Sequence, residues 1–190
     1  MRVFELRGGG NGYMTFVAKN EIDLYQDRFA DMKNYSETMS KEPPNLILGS
    51  ATHNQKKYKG KPLKIADIGY LVAGNVIVNE RVRETIGDYL KQFGDLIPIN
   101  VEGNTWYSYV VTNVLDGITD IQKSVLTRSG RLKIPAFDIQ KLPRHPQIFK
   151  TKETGLLQIF FTETETEGLR SLINIHGIDA GDMKLVWESK

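Results

Sequence analysis

Three histidines, His53, His145 and His176, are the side chains best suited to proton transfer or metal binding near neutral pH. They are scattered. His53 sits in a polar stretch, His145 lies between Pro143 and Pro146, and His176 precedes Gly177. No pair has the i,i+4 spacing of a helical zinc site, and no His-Glu-x-x-His occurs. The expected role of His176 is that of a cation or donor at a helix C-terminus. Asp116 and Asp120 are close enough in sequence for paired carboxylates to share acid–base work. Asp116 precedes Gly117, however, and Asp-Gly is a turn dipeptide. Asp120 is expected to orient backbone or to meet a basic partner. Glu163, Glu165 and Glu167 alternate with threonines and could align on one strand face as a divalent-cation site. The simpler expectation is that acids leading into a helix complement its dipole.

The chain has no cysteine, which excludes disulfides, thiolate catalysis and cysteine-ligated metal centres. It has no Gly-x-Ser-x-Gly elbow. The expectation is therefore a protein that is not an enzyme, with no metal and no cofactor. An enzyme whose site is assembled from dispersed residues such as Asp116, Asp120 and His145 is the competing reading.

Charge offers a second kind of chemistry. The net charge of +2 argues against a globally charged binder of nucleic acid or membrane. Its distribution is uneven. Lys56, Lys57, Lys59, Lys61 and Lys64 fall in one short stretch around Tyr58 with no acid between them. These lysines could neutralise phosphates while Tyr58 stacks on a base, so a nucleic-acid module using residues 56–64 is a rival reading. From Gln122 to Lys152 there are eight Lys or Arg residues and one acid, Asp138. Arg and Tyr are frequent interface anchors, so Lys56, Lys57, Tyr58 and Arg144 are the candidate partner-binding residues.

The elements that would position these groups are mostly strands. Val3, Phe4 and Leu6 predict a first strand and Tyr13 to Ala18 a second, with Gly8-Gly9-Gly10-Asn11-Gly12 read as a hairpin turn between them. A phosphate-binding loop would need a following helix and a Lys-Ser/Thr pair, and neither is there. Glu21 to Asn34 carries a weak helical pattern, and Ser36 to Lys64 is a polar excursion around a short strand at Leu46 to Leu48. The clearest helix is Asn79 to Phe93. Asn79 is its N-cap, Val82, Ile86, Leu90 and Phe93 form its apolar stripe, and Gly94 is read as its stop. Leu96 to Val101 and Thr105 to Leu115 predict a hairpin through Glu102-Gly103-Asn104. Short strands follow around Ile118 to Ile121 and Leu132 to Ile134. Gln147 to Lys150 and Leu156 to Phe161 predict another hairpin. A Thr164/Glu167 capping box is expected to open a helix bearing Leu169, Leu172, Ile173 and His176, stopped by Gly177. Lys184 to Trp187 closes the chain as a strand.

This pattern predicts an α+β fold: a mixed, mainly antiparallel sheet with two principal helices, built from the 95–121 and 147–161 strands. The 190 residues are expected to form one domain, with 1–64 a more variable portion and 65–190 the core. No stretch approaches the roughly twenty apolar residues of a membrane span. The first residues are broken by Glu5 and Arg7 and do not read as an export signal, so the expected compartment is the cytoplasm.

From about Asp67 to Glu188 the chain resembles the bacterial polymorphic-toxin immunity proteins of immunity family eleven. The resemblance rests on the order of several segments. A helix at Val78 to Phe93 is followed by Gly94-Asp95-Leu96-Ile97-Pro98. An aromatic strand runs into Asn113-Val114-Leu115, then Asp120 and Ser124. Ile148-Phe149-Lys150 comes next, and Leu169 to Ile175, Gly177-Ile178 and Leu185-Val186-Trp187 complete it. The resemblance implies a cytoplasmic antitoxin that binds and neutralises a cognate toxin domain. Because the chain is slightly basic and its longest one-sign segments are positive, the expected toxin presents an acidic face.

Overall fold

Ile159, Phe160 and Phe161 are apolar at consecutive positions. Successive strand residues point to opposite faces, so the strand they form must be covered on both sides. The same holds for Tyr109-Val110-Val111 and Val76-Ile77-Val78, and all nine side chains are buried. Among the described residues the fold answers this demand with a six-stranded sheet, a five-stranded sheet and a two-stranded hairpin, enclosing three apolar layers.

The computed structural model describes residues 1–10, 12–18, 45–49, 62–72, 74–130 and 132–189. The described strands are β1 (Arg2–Leu6), β2 (Thr15–Ala18), β3 (Asn45–Gly49), β4 (Ile68–Val72), β5 (Asn75–Val78), β6 (Gly94–Val101), β7 (Asn104–Val111), β8 (Val114–Leu115), β9 (Thr119–Leu126), β10 (Leu132–Phe137), β11 (Ile148–Thr151), β12 (Ile159–Glu163) and β13 (Met183–Glu188). The described helices are α1 (Glu80–Leu90) and α2 (Leu169–Ile175). The fold class is α+β, mainly β, with mostly antiparallel pairing. No helix among the described residues is long and apolar enough to cross a membrane.

One sheet has six strands in the order β2-β3-β6-β7-β5-β4. It rolls into a barrel, because its two end strands, β2 and β4, lie side by side. A parallel bridge between Tyr13 and Lys64 stitches the seam. There Met14 N donates to Lys64 O at 2.8 Å and Lys64 N donates to Gly12 O at 3.0 Å. Gly69 makes the closure possible: a Cβ on it would lie 2.2 Å from the Phe16 ring, which crosses over from β2. The barrel interior is Phe16, Leu46, Leu71, Ile77, Ile97, Ile99, Val101 and Val110, with Leu48 and Trp106 packed against them. Every strand of the barrel contributes.

The second sheet has five strands in the order β13-β1-β12-β11-β8. Its inner face carries Phe4, Leu6, Ile148, Ile159 and Phe161 against the outer face of the barrel, with α1 and α2 completing the layer. Phe4 and Phe161 stack with centroids 5.3 Å apart. Val82, Ile86 and Leu90 of α1 are buried here, and the Asn79 side chain caps the helix by accepting from Val82 N at 3.0 Å. Its outer face carries Val3, Phe149 and Phe160 beneath Ile118, Phe137 and Leu142. That third layer is the root of the hairpin β9–β10.

Several expectations are corrected. The strands at 95–121 and 147–161 do not build one sheet: β6 and β7 belong to the barrel, β9 to the separate hairpin, and β11 and β12 to the five-stranded sheet. The glycine-rich link does not close a hairpin either. β1 pairs with β12 and β13, whereas β2 pairs with β3. The glycines instead let backbones touch as the chain passes between sheets. A Cβ on Gly181 would lie 2.1 Å from Gly9 O, and one on Gly8 would lie 2.8 Å from the Gly69 carbonyl carbon. Gly9 N donates to Ile68 O and Asp182 N donates to Gly9 O. Gly94 does not stop α1, whose cap is Lys91 in right-handed helical geometry. It opens β6, where a Cβ would lie 2.3 Å from Val110 O. Thr164 and Glu167 do not box the start of α2. The Thr164 hydroxyl accepts from Glu167 N in the turn ahead of the helix, and the buried Glu163 carboxylate takes Arg170 N inside it. The expectation for Gly177 holds: it adopts φ +58° after α2.

Candidate functional site: a basic hairpin

Pro135 sits in the middle of β10 with no N–H to donate to a ladder. The partner strand responds with a large bulge. Leu126 faces Leu132 and Val125 faces Ile134, but the next pairs are Asp120 with Ala136 and Thr119 with Phe137. Ile121, Gln122, Lys123 and Ser124 thus oppose Pro135 alone. A bulge of this size has its own backbone groups to satisfy, and two side chains do so. The Asp120 carboxylate accepts from Lys123 N at 3.2 Å. Ser124 Oγ donates to Asp120 O at 2.7 Å and accepts from Ala136 N at 2.8 Å. Lys123 Nζ lies 2.9 Å from Asp120 Oδ2. The Lys123 side chain holds the Asp120 carboxyl below the usual carboxylate range, and Asp120 in turn raises the Lys123 amine.

The root of this hairpin is packed against the five-stranded sheet, and its outer half is exposed. Phe137 meets Phe149, Phe160 and Trp187 edge-on at 6.0, 5.4 and 6.3 Å. Asp138 N donates to Ile118 O at 2.9 Å. Beyond the bulge, Val125, Leu126, Thr127, Arg128, Ser129 and Gly130 are all exposed. Ile121, Val125 and Leu126 are 47%, 49% and 44% exposed, a concentration of bare aliphatic surface on one strand. Among the described residues β9 has β10 as its sole ladder partner.

The basic run passes through this hairpin and continues beyond its root. Lys123, Lys141 and Lys152 are paired with Asp120, Asp138 and Asp116, the last at 2.5 Å. Arg128, Lys133 and Arg144 are exposed and make no ion pair with a described residue. The turn at Asp116-Gly117 is fixed from outside: Gly117 N donates to Glu153 Oε1 at 2.9 Å and Lys141 Nζ donates to Gly117 O at 3.1 Å. Lys150 behaves differently from the rest of the run. It is 4% exposed and has no side-chain hydrogen bond or ion pair with a described residue. Burial pushes its amine down to about 8.

Of the residues singled out in the sequence, Arg144 is exposed and follows Leu142, which packs with Phe137 at the hairpin root. Lys56, Lys57 and Tyr58 lie outside the described residues, as does His53. Asp116 and Asp120 do not act together, since each is engaged by a different lysine. His145 is exposed, and the His176 carbonyl accepts from Arg81 Nη2 at the end of α2. The three glutamates separate, with Glu163 buried and Glu165 and Glu167 exposed. A polar cavity of about 440 Å³ opens near the termini, lined by Arg2, Glu163, Glu165, Glu188 and Ser189 among others. It includes none of Asp116, Asp120 and His145. The sequence reading missed Ile121, Val125 and Leu126, which look like ordinary strand formers. The signal that could have found them is Pro135, which cannot donate to a ladder and so favours an edge strand or a bulge.

Compared with models of protein families and with curated proteins, the chain gives no match.

Proposed function

We propose that this chain is an immunity protein, which binds a cognate toxin domain of a polymorphic-toxin system in the cytoplasm and neutralises it by steric occlusion. The observation that carries the reading is the hairpin: exposed Ile121, Val125 and Leu126 on the same ribbon as Arg128 and Lys133, cations with no ion pair among the described residues. A surface of this kind suits a protein partner, because an apolar centre supplies affinity and charged surroundings supply steering. The resemblance to immunity family eleven supports the same reading. Asp120 and Ser124, two of the residues on which it rests, are those that hold the bulge of this hairpin. The role requires a complementary surface and no reaction centre, and the partner is expected to present an acidic face.

The test is co-purification and association kinetics with the C-terminal domain encoded by the gene immediately upstream. The expected complex forms at a rate that falls with added salt, and falls further when Arg128, Lys133 and Arg144 are reversed to Glu. A rate that rises with salt, or ignores these reversals, overturns the charge assignment, and no complex overturns the reading. Salt-sensitive binding of DNA or RNA that vanishes on neutralising Lys56, Lys57 and Lys59 would favour the nucleic-acid alternative instead.

A further inference from the structure

We infer that the outer half of the β9–β10 hairpin is an arm that enters a cleft of the toxin domain, one with an apolar floor and an acidic rim. The inference rests on the proposed function and deepens it by naming the contact. A two-stranded ribbon is marginal in water by itself. This one places exposed aliphatic surface beside a strand edge with no ladder partner among the described residues, a combination that natural proteins ordinarily blunt. Its shape is nevertheless fixed. The links from Ser124 to Asp120 O and Ala136 N, and from Asp120 to Lys123 N, hold the bulge with Ile121 facing out. A contact element ordered before binding loses less entropy on binding, and that is the advantage a stapled arm offers over a loose loop.

Other occupants fit less well. A second copy of the chain joined arm to arm would bring two basic ribbons together, and like charges across an interface oppose it. A nucleic acid would find cations but no ring to stack on, since residues 119–134 contain no aromatic side chain. An anionic lipid surface would accept both the aliphatics and the cations, but it would make no use of a shape held by Asp120 and Ser124. The acidic rim follows from Arg128 and Lys133, which flank the aliphatic patch with no described partner of their own.

The experiment measures binding of the upstream-encoded toxin domain by surface plasmon resonance, using full-length chain variants that keep the wild-type circular dichroism spectrum and stay folded at the assay temperature. Ile121→Asp and Leu126→Asp are each expected to weaken binding by about 30-fold or more, as loss of a central anchor does. Ser124→Ala is expected to speed dissociation about 10-fold with association little changed, and Ser124→Thr, which keeps the hydroxyl, is expected to restore it. Ser124 is a positioning residue, so that split between the two rates separates it from a contact residue. Wild-type toxin binding by Ile121→Asp and Leu126→Asp would overturn the arm while leaving the proposed function standing. Failure of the unaltered chain to bind the toxin domain would overturn both. A dimer in sedimentation equilibrium that dissociates in Leu126→Asp, or binding to phosphatidylserine vesicles lost in the same variant, would assign the arm to a second copy or to a membrane and overturn the cleft.

Discussion

Ser124 on β9 and Ala136 on β10 are joined by a side chain where a ladder bond is missing: the Ser124 hydroxyl accepts from Ala136 N at 2.8 Å. The same oxygen donates to Asp120 O at 2.7 Å, so one hydroxyl closes the bulge on both sides. Ser124→Ala leaves the Ala136 N–H without this partner. The expected cost is about 1–2 kcal/mol, read as a lower urea midpoint. Faster hydrogen exchange confined to residues 119–137 would locate the loss in the hairpin.

Gly94 distinguishes a helix stop from a close backbone approach. At a helix end, Asn would replace Gly at small cost. Here a Cβ would meet Val110 O at 2.3 Å and Val111 Cα at 2.8 Å. Neither atom belongs to a flexible side chain. Both Gly94→Ala and Gly94→Asn are expected to destabilise by roughly 3 kcal/mol or more. Thermal melts in which Gly94→Asn matches the wild type would restore the helix-stop reading.

Lys150 makes stability depend on alkaline pH. Burial lowers its amine from 10.5 to about 8 in the fold. Between those values the unfolded chain holds a proton that the folded chain has released, so stability rises with pH across that window. Below about pH 8 the charged amine is buried in full and its cost is largest. The gain from pH 8 to 10.5 approaches about 3 kcal/mol for this group. Lys150→Met is expected to be more stable than wild type at pH 7, and the difference should shrink toward pH 10.5. Parallel denaturation curves at the two pH values would show it. A difference that stays constant would mean that Lys150 finds a partner.

Ser108 points into the barrel, is fully buried, and its hydroxyl has no hydrogen-bond partner among the described residues. Asn75, on the same inner face, likewise has none there for either amide atom. A buried hydroxyl without a partner costs free energy that a methyl group of similar size does not. Ser108→Ala is therefore expected to raise stability by up to about 1 kcal/mol. A decrease measured by chemical denaturation would indicate that the hydroxyl is satisfied.

How much of this was legible in the chain depends on the range of the interaction involved. The helix at α1 was readable because everything that defines it is local. The Asn79 cap, Val82, Ile86 and Leu90 lie within one stretch of chain, and the 3.6-residue period reports their common face. The hairpin β6–β7 was readable for the same reason: Glu102 and Gly103 take φ of 52° and 88° and make a tight turn between two apolar runs. Strand positions and the α+β class follow from such segments.

The sheet to which each strand belongs was decided only in three dimensions. Strand pairing is long-range, and an apolar strand carries no mark of its partner. β1 thus sits between β12 and β13, more than a hundred residues away in sequence. The glycines mislead for a related reason. A glycine needed for a turn and one needed for close approach look alike, and the Gly9–Gly181 contact brings together opposite ends of the chain. Exposure was hidden too. Ile121, Val125 and Leu126 have the composition of core strand residues, while Lys150 has that of a surface residue. Side-chain type biases burial, but the surrounding packing settles it. Ile121 lies in the bulge opposite Pro135, and Val125 and Leu126 lie beyond it on opposite faces of a ribbon that leaves both exposed, while the packed layers around β11 enclose Lys150.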